Sequence, residues 1–308
     1  MRKFLLLAIA AYAANLMTYA QTCLDDALAY RVKNEAFNNS KIEDLSQFMT
    51  DDLGPRLAAS KMKLRAEKMV INKLEELGLS NPRAEFAFEF AKGGWDNEKN
   101  YVAMTAPYYC SFAANPKAWS GSTDGLVKGE CVVIDVKEKA DLEKYKGKLA
   151  GKIVLMPVQQ TYEIRFDPLA SRYTDKELAE LEKDPRPANA RRHTMPSNWQ
   201  AMRELQNAID KMLREELVLA VVSGSGTFNV PSSRGVRYKR GDPEPTPEIV
   251  LPIEDHGRMV RMLNKGQKVE MELDVKNSFT NNPQINNVIA EIPGSDPKLK
   301  NEIVLIGA

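Results

Sequence analysis

Two neighbouring stretches decide how this chain folds: Asn287-Val288-Ile289-Ala290-Glu291-Ile292-Pro293-Gly294 and Glu302-Ile303-Val304-Leu305-Ile306-Gly307-Ala308. Each reads as a strand, and a short polar link joins them. The second is a continuous apolar run. That pattern fits a strand covered on both faces, as in a mostly parallel sheet, rather than the alternation of a half-solvated one. Ligands of such sheets gather at the carboxyl ends of the strands. Ala308 is expected at such an end, with the functional tip lying after it.

Upstream, the same logic gives an α/β chain. Glu85 to Phe90 alternates, and Asn100 to Ala106, Cys131 to Val136 and Gly151 to Pro157 read as strands. Val218 to Val222 is a buried strand, and Val269 to Val275 alternates again. Helices are predicted over Leu24 to Phe37, Ile42 to Met49, Asp175 to Glu182, Trp199 to Leu217 and Asp255 to Asn264. Another starts at Ser60, with Leu64, Met69, Val70, Leu74 and Leu77 as its apolar stripe and Gly78 as a left-handed C-cap. Gln160 to Asn198 is irregular, and Pro185, Pro187 and Pro196 forbid a long helix there.

The first twenty residues read as a secretion signal. Arg2 and Lys3 form the basic start, Phe4 to Met17 the apolar core and Thr18-Tyr19-Ala20 the cleavage site. The core is too short to span a bilayer. Its removal takes two basic residues and turns the formal charge of +1 into −1. A near-neutral chain has no global attraction to nucleic acid or acidic membranes. The expected location is secreted or periplasmic. Cys23, Cys110 and Cys131 fit no zinc or redox spacing. An oxidising destination permits a Cys110–Cys131 bridge; free, small apolar side chains are the plainer reading.

No catalytic set is visible. His193 follows Arg191 and Arg192 in a loop, where a solvated cluster is the simpler reading than an anion site. His256 opens a helix and can hydrogen-bond there, but no partner marks it as a base. No His-x-Asp, His-Glu-x-x-His or Gly-x-Ser-x-Gly is present. Glu215-Glu216 superficially resembles a metal-bridging pair, yet it ends an amphipathic helix and reads as surface charge. Ser223-Gly224-Ser225-Gly226 lacks the following helix that a phosphate cradle needs.

Three stretches nevertheless resemble a known family, the secreted di-zinc exopeptidases of the aminopeptidase and carboxypeptidase Q group. Leu53-Gly54-Pro55-Arg56-Leu57-Ala58-Ala59-Ser60 is similar to that family's lead into its first long helix, with Ala59 where a glycine is usual. Asn287 to Gly294 resembles its Asn-Val-x-Ala-x-x-Gly-Ser strand, and Glu302 to Ala308 the strand before its His-x-Asp. Residues 111–273 resemble an inserted protease-associated domain, although Glu216-Leu217 stands where relatives often carry Gly-Ala. The resemblance implies residues 1–20 as signal, 21–110 as the first part of a peptidase domain, 111–273 as the insert and 274–308 as the first core strands. It implies peptide substrates, two zinc ions and a metal-activated water, with a homodimer left open. It places every zinc and catalytic residue beyond Ala308, so none is assigned here, and residues 1–308 alone are expected to be inactive. The rival readings are a stand-alone binding module and a degenerate peptidase kept as a structural subunit.

Overall fold

The structure, a computed structural model, describes residues 26–157, 166, 168, 170–183, 198–226 and 234–307. The signal segment, Cys23 and the Arg191-Arg192-His193 cluster lie outside these. The chain divides into two compact units.

One unit comprises 1–56, 62–83 and 290–308. Its described part starts with helix α1 (26–38), then α2 (Ile42–Gln47), which runs into a π-type turn over Phe48–Asp52. Helix α3 (Lys61–Glu76) follows. Its predicted stripe is real but only half covered: Leu64, Met69, Val70 and Leu74 are of intermediate exposure. Gly78 takes φ +84°, and the Leu79 N–H reaches back to the Leu74 carbonyl at 3.1 Å. That is the left-handed helix end expected of glycine.

The second unit, 57–61 and 84–289, holds the main core. Helix α4 (Asp175–Lys183) lies in this unit, and ten strands are described in the chain. Strands β1 (Ser80–Glu89) and β10 (Gln284–Glu291) pair as a two-stranded ribbon. The other eight are β2 (Gly94–Ala106), β3 (Cys110–Ser111), β4 (Asn115–Pro116), β5 (Val127–Val133), β6 (Ile153–Leu155), β7 (Ala220–Gly224), β8 (Glu248–Leu251) and β9 (Glu270–Thr280). They form one sheet in the order β3-β2-β9-β5-β6-β7-β8-β4. The central four, β5 to β8, run parallel, and antiparallel strands flank them. The α/β class read from the sequence therefore holds.

Why the central strands read as unbroken apolar runs is visible in the packing. Ile153, Leu155, Ala220 and Val222 face one core, which includes Met259 and Val260 of helix α6 (Ile253–Asn264). Val154 and Val221, one residue out of phase, face a second core with Ile209 and Leu213 of helix α5 (Trp199–Glu215). Both faces of these strands are covered, so alternation disappears. On β9 one face is buried through Met271, Leu273 and Val275. Its other face is charged, with Asp274 held by Lys99 and Glu270 by Lys268.

Strands β2 and β9 pair from Gly94 opposite Thr280 to Ala106 opposite Glu270, and these backbone bonds join 94–106 to 270–280 within the unit. One expectation changes: Glu302–Gly307 forms no strand. Ile303, Val304, Leu305 and Ile306 are 86–90% exposed. A strand exists only through its neighbours, and this run has none among the described residues.

Candidate functional site

The carboxyl ends of β7 and β8 meet the start of α6, and there the structure places His256. The ring is fully buried, at 0% exposure. A side-chain carbon on Gly224 would sit 2.8 Å from His256 Nδ1, so the glycine is what makes room for the ring. Burial drops the imidazole pKa from 6.5 to about 4; the carbonyls of Val222 and Met156 lie close enough to oppose that drop in part. Among the described residues neither ring nitrogen has a partner that meets full hydrogen-bond geometry, and the nearest acceptors are those two carbonyls. Gly224 packs directly against the ring.

A cleft of about 350 Å³ opens between α5 and residues 236–248. Asn207, Asp210, Arg214, Arg237, Asp242 and Glu248 supply its polar lining. Most of these are already engaged. Arg237 donates to Asn207, Glu248 pairs with Lys117 at 2.8 Å, and Asp210 accepts from Gln206 at 2.7 Å. Such a surface can hold a polar chain segment. It contains no histidine or cysteine and no nucleophile–base pair.

The Glu215-Glu216 pair is held by local partners. Glu215 pairs with Lys211 at 3.6 Å. Glu216 accepts the Gly147 N–H at 2.7 Å and the Leu149 N–H at 3.3 Å, and these bonds hold its carboxyl below the usual range. It pins the turn before β6 to the end of α5, a role its neighbour count in sequence did not reveal. Leu217 then adopts φ +53°. Its following residue donates from Val218 N to the Leu213 carbonyl at 3.3 Å, closing the helix. Cys110 and Cys131 are both free. Burial pushes the Cys131 thiol up to about 12, which makes it inert packing. Cys110 accepts from Arg258 at 3.3 Å.

The segment resembling an exopeptidase helix lead is built with care. Ala59, in the glycine position, has φ +58° and is fully buried. The Lys61 N–H, at the start of α3, is capped by Asp96 of β2 at 2.9 Å. That carboxylate satisfies a helix-terminal donor and complements the dipole.

No three His, Cys, Asp or Glu side chains among the described residues come together as a metal site. The zinc chemistry implied by the resemblance therefore finds no fitting donor set there. No helix among the described residues is long and apolar enough to cross a membrane.

This geometry is that of an α/β unit built on a mixed sheet with a parallel centre. A solved M28 peptidase precursor from Shewanella amazonensis SB2B matches it with a TM-score of 0.51 and 19% identity, over 88% of this chain and 55% of that one. An aminopeptidase from Aneurinibacillus sp. strain AM-1 matches at 0.39 and 16%, over 79% and 46%. A zinc aminopeptidase from Bacillus subtilis matches at 0.43 and 13%, over 79% and 44%. The chain spans about half the length of these structures. No protein-family model matches it, and no curated protein does.

Proposed function

We propose that this chain is the N-terminal portion of a secreted zinc-dependent exopeptidase, an aminopeptidase or carboxypeptidase that hydrolyses peptide bonds. The fold likeness to the M28 peptidase precursor over 88% of the chain carries this reading. The left-handed Ala59 supports it, because the resembling motif calls for glycine at that position. In this reading residues 111–273 form a protease-associated-type insert, peptides are the substrates, and two zinc ions bind residues outside 1–308. The residues described here are scaffold, and the chain alone is inactive. No catalytic step is assigned to any of its side chains.

The apolar tip fits the same reading. Ile303 to Ile306 becomes an interior strand once it has neighbours on both edges. The test is to read the coding sequence past Ala308 and express the whole product. A His-x-Asp within the next few codons, two zinc ions per chain and release of terminal residues from peptides are expected. A metal-free, inactive product would overturn the proposal. The polar cleft beside α5 favours one rival, a stand-alone module that binds peptides or proteins. That rival predicts peptide binding by residues 1–308 with no peptidase sequence downstream.

A further inference from the structure

We propose that His256 is an acid-sensitive latch, holding α6 against the carboxyl ends of β7 and β8 while neutral and releasing it when protonated. The inference is independent of the peptidase reading. It starts from packing. His256 is among the largest fully buried side chains of the unit, and it sits directly against Gly224. The same helix and strand ends supply Met259 and Val260, and Val222 and Leu251, to one buried apolar core.

The charged groups nearby do not help a cation. On α6 itself, Asp255 is already engaged by Arg258 at 2.9 Å, and Glu254 also has a partner. Among the described residues, strands β6 and β7 and their ends bring the carbonyls of Met156 and Val222 towards the ring. The Val222 carbonyl is itself bonded to the Met156 N–H at 2.9 Å. A neutral imidazole tolerates this place; an imidazolium there loses its hydration and gains no counter-ion from the described residues. The proton is therefore taken up by opened or unfolded forms, which expose the ring to water.

The sign follows from linkage. The buried ring has its pKa lowered from 6.5 to about 4. Between those values the unfolded state binds a proton that the folded state does not. The stabilisation is complete above pH 6.5 and is lost as pH falls towards 4. Across the full window the unfolding constant rises roughly 300-fold, or about tenfold per pH unit.

The experiment compares the full chain with His256→Leu by urea unfolding between pH 7 and pH 5, where most carboxylates stay ionised. The expected result is a wild-type unfolding constant that climbs roughly tenfold between pH 6 and pH 5 relative to the variant. Parallel pH dependences would overturn the proposal. If the variant does not fold, NMR titration of His256 in the native chain decides. No titration above pH 5 supports the latch; a midpoint near 6.5 contradicts it.

Discussion

Ala59 and Gly94 are locked backbone to backbone: a side-chain carbon on Gly94 would lie 2.0 Å from the Ala59 carbonyl oxygen. No rotamer change relieves a clash with backbone, so strand β2 must carry glycine here. Gly94→Ala is expected to destabilise the unit by about 2–3 kcal/mol. Gly54→Ala is the control. Gly54 has φ +61° and nothing within 4 Å, so only the strain of about 1 kcal/mol should appear. Urea midpoints of the two variants check this, and equal losses would contradict it.

Leu217 pays a left-handed strain without compensation. It has φ +53° and is 76% exposed, so its side chain has little burial to lose. Leu217→Gly should therefore stabilise the chain by about 0.5–1 kcal/mol. Thermal unfolding reads the gain; a loss of stability would show that the Leu217 side chain packs in solution.

Gly224 and His256 should be coupled. Gly224→Ala places a methyl 2.8–2.9 Å from the ring atoms and is expected to be destabilising. In a His256→Ala background the methyl has space, and the same change should lose most of its effect. A coupling of about 1–2 kcal/mol is expected from the double-mutant cycle. Strict additivity would mean the two residues do not touch.

How far the sequence reveals this molecule depends on whether the causes are local. Val218 to Val222 and Gly151 to Pro157 read as strands, and the structure forms Ala220–Gly224 and Ile153–Leu155 there, covered on both faces. Strand β8 was missed: Glu248–Leu251 is four residues between Pro247 and Pro252, too short to show a period. The Ile303–Ile306 run was read as a strand from its apolarity, but strand identity is conferred by partners. Of the candidate site, the helix that carries His256 is legible, since Met259, Val260 and Leu263 mark its inner face. The burial of His256 is not, because the glycine that admits it lies 32 positions away on the chain. Glu216 likewise looked like surface charge, since its partners Gly147 and Leu149 are remote in sequence.

The exposed run at 303–306 carries a prediction about association. Four large apolar side chains at 86–90% exposure form a contiguous apolar patch. Replacing Val304 and Ile306 with serine should lower concentration-dependent self-association of residues 1–308. Sedimentation velocity over a range of concentrations checks it; a monodisperse wild type would remove the premise.

The most direct test of the central claim is calorimetric titration of residues 1–308 with Zn²⁺. If these residues are the scaffold of a zinc exopeptidase whose ligands lie elsewhere, no stoichiometric binding should appear. Saturable uptake of one or two ions per chain, with peptide hydrolysis following it, would contradict the account.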